Sequence, residues 1–118
     1  MSNKITLVKS VGYAFRGLTS VWKEEINFRI EIFCAVLVLL ASWFFHFSYI
    51  EVAILVLVIV VILAGEIVNT AIEDLCDKVE PRQDILIGKV KDIMAGFVLV
   101  GALGAVLIGL VVFTFHFL

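Results

Sequence analysis

The sequence predicts an all-α integral membrane protein: an N-terminal amphipathic surface helix followed by three transmembrane helices, in one domain spanning residues 1–118. Three observations predict it. The chain is 63% hydrophobic with a mean hydropathy of +1.16, whereas a soluble domain is about 45–50% apolar. Three long stretches are nearly free of formal charge, as bilayer spans must be. The charges that exist are crowded: all nine Lys and Arg residues lie between Lys4 and Arg29 or between Lys78 and Lys91. The net charge of −2 says little when its parts are so unevenly placed.

Residues about 6–26 read as the surface helix. Val8, Val11, Phe15, Leu18, Trp22 and Ile26 fall within about 80° of one another on a helical wheel. Lys9, Arg16 and Lys23 line the other side at heptad spacing. A basic face opposite an aromatic apolar face suits a helix in the headgroup layer, and the same face would serve for packing on partner helices. On this wheel Glu24 lies among the polar residues, as a solvated charge. Glu25 falls beside Leu18 and Trp22, where a carboxylate needs a partner. Glu25 is therefore a site candidate.

The first span is expected at about 28–46. Arg29 and Glu31 stand at one end, where snorkelling or mutual pairing accommodates them. Trp43, His46 and Tyr49 stand at the other, as an aromatic belt does, with His46 interfacial rather than a ligand. The second span is expected at about 51–76 and the third at about 91–117, with no formal charge after Asp92. Between them, 77–89 reads as a loop holding Glu80, Pro81, Arg82, Gln83, Asp84 and Gly88. Gly101, Ala105 and Gly109 form a small-residue face for close helix packing. Cys34 and Cys76 fit neither a disulfide framework nor a zinc pattern, and read as buried thiols. No cleavable signal peptide is expected, because the first apolar run follows more than about twenty residues punctuated by charge. By the positive-inside rule the surface helix and the 77–89 loop face the cytoplasm.

The chain is organised around Glu66-Ile-Val-Asn69-Thr70-Ala71-Ile-Glu73-Asp74-Leu-Cys-Asp77, which continues the apolar run from Val52 without a break. At 100° per residue, Glu66, Asn69, Glu73 and Asp77 fall at about 0°, 300°, 340° and 20°. Three carboxylates and an amide on one stripe are costly at the end of a span unless something binds them. Glu25, Lys91 and Asp92 would lie near the same depth. Hard oxygen ligands beside a lysine suit magnesium and phosphate, since magnesium takes one or two carboxylates together with substrate phosphates. Phosphoryl transfer asks for that, plus a base for the attacking hydroxyl. There is no Walker motif and no kinase-type glycine loop. A small transporter subunit is the rival reading, although a transport pathway would place its acid nearer the membrane midplane. A purely structural subunit would leave Glu25, Glu66, Glu73 and Asp77 unexplained.

Glu66 to Glu73, followed by Asp77 and then Lys91-Asp92, resembles the signature of the prokaryotic diacylglycerol kinase family, which includes the undecaprenol kinases. Gly12-Tyr13, Gly17-Leu18, Trp22, Glu25 and Phe28-Arg29 also match, so the resemblance covers nearly the whole chain. It implies a homotrimer in the bacterial inner membrane, with active sites at the cytoplasmic face, between protomers, using ATP and Mg2+. Carried over, Glu66 is the general base, Glu25 and Glu73 hold the metal, and Tyr13, Asn69, Asp77, Lys91 and Asp92 serve the nucleotide. Arg82, Asp84, Lys9 and Arg16 are further nucleotide candidates. Some members carry Glu-Tyr-His where this chain has Arg82-Gln83-Asp84. The acceptor it implies is a membrane lipid alcohol, undecaprenol or diacylglycerol, and no nucleic-acid partner is expected. Asn27-Phe28-Arg29-Ile30 and Lys91 to Gly96 lean toward undecaprenol, although Glu31 stands where those kinases tend to have histidine.

Overall fold

A computed structural model describes residues 3–80, 82 and 84–118. The described chain is helical almost throughout: α1 (Asn3–Glu24), α2 (Ile26–Phe44), α3 (Tyr49–Val79) and α4 (Ile85–Phe117). The last three are long and apolar enough to cross a membrane. Pro81 and Gln83 lie outside the described residues.

Most boundaries differ from the sequence expectation, several of them for a local cause, while α4 ends at Phe117, where the third span is expected to end. The expected 6–26 helix stops at Glu24, because Glu25 takes an extended conformation (φ −114°, ψ 107°) and starts a new helix. The first span, expected at 28–46, thus runs from Ile26 to Phe44. It ends in a turn where His46 adopts a left-handed φ of 58°. α3 begins at Tyr49 rather than 51 because Ser48 and Glu51 form a capping box. The Ser48 hydroxyl accepts from the Glu51 N–H at 3.2 Å, and the Glu51 carboxylate accepts from the Ser48 N–H at 2.8 Å. α3 then continues to Val79, a turn past the expected 76.

The largest correction concerns the 77–89 loop, much of which is helix. α4 starts at Ile85, six residues before the expected 91, because Asp84 accepts from the N–H groups of Leu86 and Ile87 at 3.0 and 3.1 Å. That cap satisfies two of the donors a helix start leaves open. Asp84→Ala is expected to cost about 1 kcal/mol of stability, and Asp84→Asn almost nothing, because asparagine caps nearly as well. Melting curves in detergent measure both. An equal loss in the two variants would mean that the cap is not what Asp84 contributes.

α3 is the middle helix, packed chiefly on α4 and less on α2, while α1 touches only α2 and α3. The result is a slab of 52 × 45 × 21 Å. Ile62 of α3 sets its tip 3.5 Å from where a side chain on Gly101 would begin, whereas Gly109 of the same small-residue face meets nothing within 4 Å. A slab three helices wide buries little. The apolar side chains it seals are Val21, Phe28, Leu55, Cys76 and Val112. On α1 the apolar face anticipated from the wheel is exposed, and Val21 beside it is the residue that packs. At 1.5 Å per residue α3 and α4 are about 46 and 50 Å long, against a hydrocarbon core of about 30 Å. Their excess length carries Glu73, Asp77 and the start of α4 beyond the apolar layer. Glu66 sits about 26 Å along the axis from Tyr49, at the edge of that layer.

Candidate active site

Glu66 is the most enclosed charged residue described, with 2% of its surface exposed. Three neighbours enclose it. On α3 itself, Thr70 is equally buried, and its hydroxyl donates to the Glu66 backbone carbonyl at 2.9 Å. That hydroxyl is thus spent on the helix rather than on the carboxylate. The Asn69 amide interacts electrostatically with the Glu66 carboxylate. From α4, Phe97 lies across Gly65, where an added Cβ would meet the ring at 3.1 Å. A side chain at this position would require the ring to give way by a few tenths of an ångström.

Glu25 reaches this site from the break between α1 and α2. It stands at the N-cap position of α2 but makes no side-chain cap bond, so its carboxylate remains available. Partial burial, and then the facing carboxylates of Glu73, Glu66 and Asp74, push it above the usual range. The cause of its inward turn differs from the wheel argument. A wheel drawn through 26 has no meaning past Glu24, where the helix ends. The same break brings Glu24 to Asp74. Glu24 is exposed, as a solvated charge is expected to be, and its contact with Asp74 raises its carboxyl above the ordinary value. Asp74 lies about 80° off the stripe on the α3 wheel. No wheel of a single helix could have paired it with a residue from another.

Four carboxylates from two elements, Glu25, Glu66, Glu73 and Asp74, therefore interact electrostatically. Among the described residues no group of three or more His, Cys, Asp or Glu side chains is arranged to enclose an ion. Such a donor set fits a metal that takes one or two protein carboxylates and fills its remaining positions from phosphate and water.

Lys91 crosses from α4 to α3 and donates to Asp77 at 2.6 Å. It also marks the edge of a second feature, a crevice of about 530 Å3 lined by Glu80, Arg82, Asp84, Lys91 and Asp92. The expected nucleotide residues of α4 and the preceding loop are thus together. Those of α1 are elsewhere: Arg16 stacks over the Tyr13 ring at 5.5 Å, Lys9 and Tyr13 are exposed, and among the described residues α1 makes no contact with α4.

One residue the sequence reading had placed as snorkelling or paired behaves otherwise. Glu31 holds a buried carboxylate oxygen with no hydrogen-bond partner, and Arg29 makes no ion pair among the described residues. Glu31 instead lines an apolar cavity of about 500 Å3 bounded by Gly65, Ile93, Gly96 and Phe97. That cavity adjoins the helix turn carrying Glu66.

Comparison with known proteins places this chain, with its buried Glu66 on a long apolar helix, among a family of lipid kinases. The sequence profile described as prokaryotic diacylglycerol kinase matches residues 12–113, and the chain belongs to that family. A diacylglycerol kinase of Synechocystis sp. is 35% identical over 104 residues, which are 87% of this chain and 59% of that longer protein. A diacylglycerol kinase of Escherichia coli (strain K12) is 27% identical over 121 residues, 99% of each chain. An undecaprenol kinase of Bacillus subtilis (strain 168) is 34% identical over 105 residues, 89% of this chain and 85% of that protein.

Proposed function

We propose that this chain transfers the γ-phosphoryl group of ATP to the hydroxyl of a membrane lipid at the cytoplasmic face of a bacterial inner membrane. The observation that carries the reading is Glu66, a carboxylate sealed at the edge of the apolar layer with other acids and an amide around it. Family membership supports the activity, and the clustering of Lys and Arg supports the orientation.

Glu66 acts as the base. It takes the proton of the lipid hydroxyl as that oxygen bonds to the γ-phosphorus and the bond to the leaving ADP oxygen breaks. Asn69 holds the Glu66 carboxylate toward the acceptor, and Phe97 keeps water from its α4 side. Glu25 and Glu73 would hold Mg2+, which when bound neutralises charge on the transferring phosphates. Lys91 exchanges its Asp77 partner for phosphate oxygens, and Asp77 keeps the lysine in range. Asp92, with Arg82 and Asp84 in the crevice, contacts the rest of the nucleotide. Tyr13, with Lys9 and Arg16 on α1, completes the site from a neighbouring copy in a homotrimer. Two features support that assembly: among the described residues of one chain α1 does not touch α4, and most of the apolar surface is left uncovered.

The acceptor proposed is undecaprenol, on the cues at 27–30 and 91–96 and on the apolar lining beside Gly65. A bare alcohol needs only the base. One observation favours diacylglycerol as a second reading: the free Glu31 oxygen could serve a lipid with polar groups below its hydroxyl. The kcat/KM of the two lipids, measured side by side in one detergent, is expected to favour undecaprenol. A tenfold preference for diacylglycerol, about 1.4 kcal/mol in transition-state binding, would reverse the choice of acceptor. Absence of ATP-dependent phosphorylation of either lipid would remove the kinase reading itself.

A further inference from the structure

At the end of the spans farthest from Glu66, one side chain ties three segments together. His116, in the last turn of α4, places Nδ1 3.0 Å from each carboxylate oxygen of Glu51 on α3. Its Nε2 lies 2.9 Å from the backbone carbonyl oxygen of Phe45, in the turn between α2 and α3. The ring stacks on Phe47 with centroids 4.0 Å apart, and Phe117 meets it edge-on. These contacts fix the ring plane, so the two nitrogens address their partners simultaneously.

The partners are a carboxylate and a carbonyl, and both accept. A neutral imidazole has one N–H and one lone pair. Whichever nitrogen held the single hydrogen, the other would aim a lone pair at an oxygen lone pair. Satisfying both contacts takes one proton more than a neutral ring and an ionised carboxylate possess. Glu51 is already the acceptor for the Ser48 N–H at 2.8 Å, which favours its charged form. The extra proton therefore belongs to the ring.

We propose that Glu51 and His116 form a proton-operated clasp, which fastens the end of α4 to the start of α3 and to the α2–α3 turn while His116 carries both ring protons. No other charged side chain competes for either partner. α2 has no Asp, Glu, Lys or Arg beyond Glu31, α3 has none between Glu51 and Glu66, and α4 has none after Asp92. Among the described residues the other titratable side chains at this end are His46, at the left-handed position of the turn, and Tyr49, which is 96% exposed. The closed clasp binds more protons than the open one. Its contribution to stability is therefore present while the ring holds its second proton and is lost once rising pH removes that proton.

The chain has two histidines, which makes the test direct. In full-length protein labelled with 15N-histidine in detergent, a His46→Gln variant assigns the remaining ring to His116. That ring is expected to show two protonated nitrogens at the acid end and to lose one as pH rises. The Tm should fall by roughly 3–6 °C over the same interval. His116→Gln and Glu51→Gln are expected to flatten the dependence of Tm on pH, and His46→Gln to leave it intact. The clasp is overturned if His116→Gln keeps the wild-type slope. It is equally overturned if the His116 ring, with its clasp contacts unaltered, holds a single proton at the pH of greatest stability, a reading that needs no substitution at the clasp itself.

Discussion

Glu66→Gln is expected to lower the rate of lipid phosphorylation by about 10²- to 10⁴-fold, the usual worth of a positioned general base. The substitution keeps the volume of the side chain and one acceptor oxygen, exchanges the other oxygen for an NH2 donor, and removes the charge and the ability to take a proton. Asn69 retains a partner, Phe97 retains its seat on Gly65, and the helix bond from Thr70 goes to the backbone, which does not change. ATP binding and oligomer size should thus be preserved while turnover collapses. Single-turnover assays with saturating Mg-ATP, beside nucleotide titration of the same preparation, separate the two. A variant keeping more than half of the wild-type rate would remove Glu66 from the role of base. A variant that lost rate and nucleotide affinity together would place it among the phosphate contacts instead.

The features visible in the sequence were those set by energies large enough to leave a pattern. Membrane transfer restricts charge over whole spans, so the three apolar helices could be read from hydropathy. The acid stripe could be read because Glu66, Asn69, Glu73 and Asp77 share one unbroken helix, where spacing alone determines the face. Each miss occurred where a short-range bond or a partner distant in sequence decided the outcome. Nothing around Glu25 breaks a helix by composition, since neither Gly nor Pro is near, yet its extended backbone ends α1. The expectation of a loop at 77–89 overlooks that an acidic residue, Asp84, ahead of Ile85-Leu86-Ile87 is a helix-start signal. Reading it that way would have extended α4 correctly. Glu24 with Asp74, and Glu51 with His116, join residues from different helices, the latter pair 65 positions apart. No periodicity reports such a pairing.

Glu25 and Glu73 are expected to behave as one metal-holding unit despite lying on different elements. The physical basis is their mutual repulsion: Glu73 is the foremost of the charges that raise the Glu25 carboxyl, after partial burial. Binding a cation between them relieves that repulsion, so each acid makes the other a better ligand. Replacing either with Gln should raise the magnesium concentration needed for half-maximal rate, and the double variant should be little worse than the worse single one, because groups acting together are not additive. The sign of the pH effect follows. A raised carboxyl value means that protons compete with the cation from the ordinary value of 4.5 upward, so the magnesium requirement should grow as pH falls. Glu25→Gln should lessen that growth, having no proton to exchange at that position. Magnesium titrations of the initial rate at several pH values measure all of this. Glu24→Gln serves as the internal comparison: it removes the partner of Asp74 but keeps Glu25 and Glu73, and should shift the requirement far less. Effects of Glu25→Gln and Glu73→Gln that simply multiply would show two independent contributions rather than a shared site.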